Sequence, residues 1–562
     1  MSSGLSSARA AMPATSAAAS PAKSAAASPA NSPAASPAPA APAARFDLNE
    51  IRVDGSTVLP QEQVEQVIYP YLGPGKTVQD VEQARKALQD AYTKAGFITV
   101  SVAPARWVDR AGGVIGMRVV ERRVERLRVM HARYFVPDAI RAGAPSVAPG
   151  TVPNIHAVTA DLVGLNQLPD RTVQPSLKPG RAPDTIDVDL DVDDKFPLHG
   201  TLEVNNRYNA DTHAERLTAS LTYDNFFQRG DSGTISYTVA PEDVRDAEIE
   251  SASYLFHIPD SRMSLLMTYL HSNSDVIALG STDVAGRGTT AGFRLLIPLG
   301  TTASNGNSFT HSFSVGWDYK KFYELDSFGG TQCSSGGKAQ SGTNCPFVIS
   351  SQTSAPVTYY PLNAAYAANW TGPKSTTDLN VSVELGIANL GSSVAQFDNK
   401  RYAATPGFSI LRAGVTREQD LPGDVQLWGS LQGQMTNDPL VSSEQFDLGG
   451  VDSVRGYLEA ESLGDYGLTL QSELRSPDIR KYVRGPVHSW RFHLFADTGV
   501  VNLRDATAGQ RSTNGLSSVG VGTRVNLWGY LNGAVQDAQT LNNGPDTKAG
   551  TNRVLFRVFG EF

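Results

Sequence analysis

Asp438-Pro-Leu-Val-Ser-Ser-Glu-Gln-Phe-Asp-Leu-Gly-Gly-Val-Asp-Ser-Val-Arg-Gly-Tyr457 runs on through Glu459, Glu461 and Asp465 to Gly467, between two segments that alternate like strands. It is too long for a hairpin turn and too patterned for a slack linker. Loops of this length inside a compact domain are functional or disordered far more often than incidental. Val454, Arg455, Gly456 and Tyr457 place a glycine, with its free backbone, directly after a cation. A later segment, Phe495-Ala-Asp-Thr-Gly499, offers the acid. Asp497 shares its parity with Arg491 and His493, opposite Trp490, Phe492, Leu494 and Ala496. The expectation is that Arg455 reaches Asp497 inside a barrel and folds the 438–467 loop inward. Water is the ordinary surrounding of a loop arginine; Gly456 and the inward parity of Asp497 favour the interior. A desolvated pair of this kind suits a latch, because removing one partner strands the other at a cost of about 3–5 kcal/mol.

Neighbouring residues extend this reading. Glu473 and Arg475 alternate onto the polar face of the strand after the loop and are expected to join the network, with Tyr457 packing against the wall. Gly520 and Gly522 fall on the polar parity of Arg524 and Asn526, and are expected to leave lumen space for the Arg455 loop.

The barrel itself is read from the segments around the loop. From residue 198 to 562, amphipathic segments of about ten residues recur between Gly/Asn/Asp/Ser turns, as membrane-spanning strands do. Sixteen are counted, beginning near 199, 214, 232, 247, 261, 285, 307, 355, 375, 406, 423, 464, 487, 515, 528 and 550. A closed antiparallel barrel uses so many two-faced strands without leaving an unpaired edge. In the last strand Val554, Phe556, Val558 and Phe562 share one parity, and Arg553, Arg557 and Glu561 the other. No run of about 18 apolar residues is present, which excludes a transmembrane helix and leaves a barrel open.

Two α/β modules precede the barrel. Residues 46–121 read as β-α-α-β-β: Ile51 and Val53 in a strand, Val64, Val67 and Ile68 on a short helix, and Val78, Val81, Ala84, Leu88, Ala91 and Tyr92 at helical spacing on a longer one. Residues 122–197 repeat the order and end on Ile186, Val188, Leu190 and Val192 alternating with Asp187, Asp189, Asp191 and Asp193. The acids lack the glycine and closing glutamate of a calcium loop, so they are read as a solvated strand face. Residues 1–45, almost wholly Ala, Ser and Pro, are read as disordered. An exported chain is expected to open with a basic segment and an apolar core. Neither is present, which leaves a start upstream of Met1 or a signal absent from this form of the chain.

The combination SSEQF-x-LGG-x-x-SVRGY at 442–457 with F-x-D-x-G at 495–499 resembles the outer-membrane transporters of two-partner secretion, the haemolysin secretion/activation (TpsB) family. That family belongs to the POTRA-plus-barrel superfamily that includes the barrel-assembly insertase. The resemblance covers about residues 46–562 and implies two periplasmic POTRA domains before a 16-stranded barrel in the bacterial outer membrane. It implies transport, without ATP, of a separate large secreted protein that carries an N-terminal secretion domain, such as a haemolysin or adhesin. It also implies outer-membrane lipid and the barrel-assembly machinery as partners in biogenesis. In the family the N-terminal region can hold a helix that plugs the barrel, whereas the composition here suits a linker. Phe562 at the terminus resembles the ending that outer-membrane barrels present to their assembly machinery. An insertase and a passive porin are the alternatives. Insertases usually carry more POTRA domains, and porins lack both the periplasmic module and the VRGY loop.

Other chemistry finds little support. A net charge of −8 without a basic block argues against nucleic-acid binding. Gly75-Lys76-Thr77 ends like a phosphate-binding loop, but Pro70 stands where the first glycine is needed. Gly520-Val-Gly522 lacks the third glycine of a dinucleotide fingerprint. No nucleophile elbow or metal-ligand cluster is visible, so neither an enzyme nor a cofactor or metal is expected. Cys333 and Cys345, twelve apart in a Gly/Ser-rich segment, are read as a disulfide closing a surface loop in an oxidising compartment; two free thiols are the alternative.

Overall fold

The structure, a computed structural model, describes residues 45–210, 212–259, 261–278, 284–304, 306–323, 325–331, 347–354, 356–507 and 510–562. The Ala/Ser/Pro-rich start, and with it any plug helix, lies outside them, as do Cys333 and Cys345. The chain divides into two compact units, the boundary falling between Phe196 and Pro197.

The N-terminal unit contains two larger sheets, each built on a central strand with a parallel neighbour on one side and antiparallel pairing on the other. In the first, Glu50–Asp54 runs parallel to Val114–Val120, the central strand, on whose other side lie Ser101–Val102 and Arg106–Asp109. Helices Gln61–Ile68 and Val78–Lys94 make the crossover. Thr77 caps the longer one: its hydroxyl accepts from the Asp80 N–H while the Asp80 carboxylate accepts from the Thr77 N–H. Val81, Ala84, Leu88 and Tyr92 form the buried stripe of that helix, against Ile51, Ile115, Met117 and Val119. Phe46–Leu48 is a separate short strand, paired with Gly73–Lys76. In the second sheet Arg123–Met130 runs parallel to the central Thr185–Asp194, with Arg171–Pro179 antiparallel on its far side.

The acidic face of Thr185–Asp194 corrects half of one sequence reading: Asp191 and Asp193 are exposed, as read, but the other two acids are not. Asp187 and Asp189 are 3 % and 4 % exposed, not solvated. The parallel neighbour sets Arg126 opposite Asp187 and Arg128 opposite Asp189. Arg128 Nε donates to Asp189 at 2.7 Å, Lys178 Nζ reaches it from the other side at 2.8 Å, and Arg126 pairs with Asp187. Sheet pairing, invisible along one strand, supplies cations across from acids.

The C-terminal unit is a closed antiparallel barrel of sixteen strands, from Leu198–Asn205 to Asn552–Glu561, which pair with each other to close it. Each begins within three residues of the position expected from the pattern. The eighth strand is interrupted: Val357–Tyr359 and Leu362–Thr371 both pair with Asn307–Phe322, on either side of Tyr360-Pro361. Pro361 has no N–H to continue the ladder. Outward residues are apolar and exposed around the wall, among them Leu202, Ile235, Phe293, Trp317, Leu427, Leu470, Leu494, Val521 and Val554. That surface is a lipid face.

A candidate latch in the barrel lumen

The connection between Val425–Thr436 and Tyr466–Arg475 does not project from the barrel. It folds in, and most residues from Leu440 to Asp465 are buried. Phe446–Leu448 and Ser462–Gly464 pair antiparallel to make it a narrow hairpin. Gly449 and Gly450 then turn the chain with φ of 111° and 103°, a region that side chains rarely adopt.

At the tip, Arg455 is 2 % exposed. Its Nε and Nη2 donate to the two oxygens of Asp497 at 2.6 and 2.7 Å, a bidentate pair, and its backbone N–H donates to the same carboxylate at 3.2 Å. Nη1 donates to Glu473 at 2.6 Å and to the Gln536 side-chain oxygen at 3.1 Å. Glu473 also receives Arg475 at 2.9 Å and both terminal nitrogens of Arg524 at 2.8 Å. Arg475 continues to Glu418 at 2.9 Å. Every charge in this buried set therefore meets one of opposite sign, which ions in a low-dielectric interior require.

The Phe-x-Asp-x-Gly segment explains the seat. All three residues face inward on Val487–Asn502. Phe495 lies under the Arg455 guanidinium, 3.7 Å from ring centre to Cζ, Asp497 takes its hydrogens, and Gly499 makes room for Leu448 of the loop. A Cβ on Gly499 would stand 2.4 Å from Leu448 Cδ1. The two later glycines act differently from the sequence reading. The space over Gly520 is filled by the Phe495 ring and that over Gly522 by His493, so they seat the wall's own rings rather than the loop.

The residues flanking Arg455 also touch the wall. Val454 is buried with Phe446, Leu448, Tyr457, Val501 and Leu516. Gly456, at φ 93°, brings its backbone against Ala538 and Thr540, where a Cβ would lie 3.2 Å from either side chain. The Tyr457 hydroxyl lies 3.0 and 2.9 Å from the carbonyl oxygens of Ser517 and Asn542 and accepts from the Asn542 N–H at 3.2 Å.

A second ion cluster was not read from the sequence. Glu444, in the proximal limb of the loop, is buried between Lys320 at 2.6 Å and Arg412 at 3.3 Å and accepts from the Tyr359 hydroxyl at 2.5 Å. Glu384 accompanies it, 2.7 Å from Lys320 and 2.6 Å from Arg412. Elsewhere Asp452 and Glu459 pair with Arg207, Glu461 accepts from Thr547, and Asp465 pairs with Arg401 at 2.7 Å. The loop is thus fastened along its length, to wall strands and to the connections that follow them. Glu444 has a signal in retrospect: it lies in the quoted Ser-Ser-Glu-Gln-Phe run.

Comparison with known proteins accords with this geometry. Residues 358–525 match the family described as haemolysin secretion/activation protein ShlB/FhaC/HecB, and residues 46–121 match the ShlB-type POTRA domain. The outer membrane transporter CdiB of Dickeya dadantii is 24% identical over 433 residues, 76% of this chain and 72% of that protein. Among solved structures, CdiB from Escherichia coli superposes with a TM-score of 0.61 at 18% identity, covering 94% of this chain and 93% of its own. CdiB from Acinetobacter baumannii gives 0.54 at 16%, covering 92% and 90%. At those identities the structural likeness speaks for the fold alone. With two segments that match this family's models and a transporter relative along most of its length, the chain is similar to the haemolysin secretion/activation proteins and is an outer-membrane transporter of two-partner secretion, a 16-stranded barrel preceded by POTRA modules in the periplasm.

Proposed function

We propose that the periplasmic modules, 46–121 and 122–197, capture an unfolded partner protein and that the 438–467 loop guards its route through the barrel. The partner is a separate large exoprotein with an N-terminal secretion domain, of the haemolysin or adhesin type. An extended passenger adds to a free sheet edge through main-chain hydrogen bonds, a mode that reads backbone more than sequence. Transport needs no ATP and no catalysed reaction; folding of the passenger at the cell surface supplies direction. Arg455 and Asp497 act as the latch, with Glu473 and Arg475 in its network, and the loop shifts or remodels when a passenger engages. Lipid surrounds the barrel, and the barrel-assembly machinery inserts it.

The observation that carries this reading is the buried loop itself. A passive pore has no use for a lumen segment held by desolvated ion pairs, whereas a conduit that must stay shut until a client arrives does. The test is export of the cognate exoprotein from cells with the transporter deleted, restored, or restored as Arg455→Ala. Export should vanish on deletion and fall sharply in the variant while the folded barrel still reaches the membrane. Normal export by Arg455→Ala removes the latch from the mechanism. Unchanged export on deletion, with barrel assembly failing instead, favours an insertase.

A further inference from the structure

The outer wall carries a pocket that faces away from the lumen loop's ion clusters. It measures about 370 Å³ and is lined by Val383, Leu411, Met435, Tyr466 and Arg504, with Thr436 at its back. Parity places the first four on the lipid side. Their neighbours Glu384, Arg412 and Gln434 point into the lumen, where Arg412 binds both of the others. Met435, Leu411 and Val383 are 68 %, 41 % and 38 % exposed. The pocket lies where Ser375–Leu385 and Val425–Thr436 end and where Ser409–Leu421 and Tyr466–Arg475 begin. The first barrel strand leaves the periplasmic modules directly and the strands alternate in direction, so these are the extracellular ends.

At that level the pocket holds a cation. The Arg504 guanidinium stacks on the Tyr466 ring at 4.3 Å and donates Nη2 to the Thr436 carbonyl at 3.1 Å. Among the described residues no carboxylate pairs with that side chain. The lumen arginines described above meet acids; this one is offered an aromatic face, one carbonyl and an open trough.

From these we infer that the pocket binds the phosphorylated headgroup of an outer-leaflet lipid, with Arg504 on the phosphate and an acyl chain along Val383, Leu411 and Met435. The order of chemistry along the wall, apolar trough and then aromatic and cation at the rim, is the order of a lipid from tail to headgroup. A soluble anion would have no use for the trough. The site also stands at the root of the lumen loop. Thr436 and Tyr466 are its two stalks, and the Arg504 backbone N–H donates to Asp465 at 2.6 Å. A headgroup held there braces both stalks.

The test uses the full-length protein in nanodiscs of zwitterionic phospholipid carrying a small fraction of bis-phosphorylated lipid A, with retained lipid counted by native mass spectrometry. Wild type should retain it. Arg504→Gln should weaken retention about ten-fold, the size of one lost charge-assisted hydrogen bond. Met435→Glu should weaken it through the trough, and Arg417→Gln, on the same wall toward the other rim, should leave it unchanged. A heat-modifiable band for each variant certifies the folded barrel. Equal retention by folded Arg504→Gln, or equal retention of lipid A stripped of its phosphates, overturns the proposal. Displacement by inorganic phosphate alone assigns a free-anion site and overturns it equally.

Discussion

The two ends of the lumen loop are held by clusters of opposite design. At the tip the loop supplies the cation, Arg455, and the wall supplies the acids, Asp497 and Glu473. In the proximal limb the loop supplies the acid, Glu444, and the wall supplies the cations, Lys320 and Arg412. At the tip Asp497 depends on one guanidinium, that of Arg455, which has this bidentate acid in front and the Phe495 ring behind. In the proximal cluster a second wall acid, Glu384, already serves both cations, so Glu444 is one of two. The difference teaches which end can let go. Withdrawing Arg455 strands Asp497, while Glu473 keeps Arg475 and Arg524; withdrawing Glu444 leaves its cations partnered. On the proposed reading the tip is the all-or-none catch and the proximal limb the more forgiving anchor.

The largest expected effect tests that asymmetry. Arg455→Ala and Asp497→Ala should each destabilise the folded barrel by about 3–5 kcal/mol, because each leaves a buried charge unmatched. The double variant should lose clearly less than the sum, since the two residues act as a unit. Denaturant midpoints of the heat-modifiable band measure both, and strict additivity would break the latch. Glu444→Gln should cost about 1–3 kcal/mol, mostly lost charge-assisted hydrogen bonds. It should also make the 440–450 limb more open to protease added from outside. A loss as large as that of Arg455→Ala would erase the distinction between the two ends. Phe495→Leu sharpens the comparison further: it keeps every ion pair but removes the ring beneath Arg455, for about 0.5–2 kcal/mol.

The smallest effect concerns the periplasmic sheet, whose ion ladder covers acids on a strand face rather than in a lumen. Lys178 and Arg128, hydrogen-bonded to Asp189, hold its carboxyl below the ordinary carboxylate value. A depressed folded-state pKa gives stability that is present above the unfolded value, about pH 4, and is lost as pH falls through the folded one. The stability gap between wild type and Asp189→Asn should therefore be full at neutral pH and shrink as acid protonates Asp189. Urea midpoints taken across pH 2–7, roughly spanning that window, check the sign. A gap that widens in acid contradicts it.

Much of this molecule is legible along the chain because barrels are locally written. Period-two alternation places each residue on lumen or lipid side before any partner is known. Sixteen strands and the inward parity of Asp497 follow from it, and the run from Ser442 to Tyr457 marks the loop that must be explained. Parity gives a face but not a neighbour around the circumference. Glu444 meets Lys320 across 124 positions and Arg412 across 32, and only the infolding of the loop against two wall strands brings them to that point. The same reason hid the cations that cover Asp187 and Asp189, and it misled the reading of Gly520 and Gly522, whose space belongs to rings on the adjacent strand. The amino-acid pattern by itself determined which side chains face inward. The tertiary structure alone decided which of them meet, because a buried charge is stabilised by the group across from it, and that group is chosen by strand register.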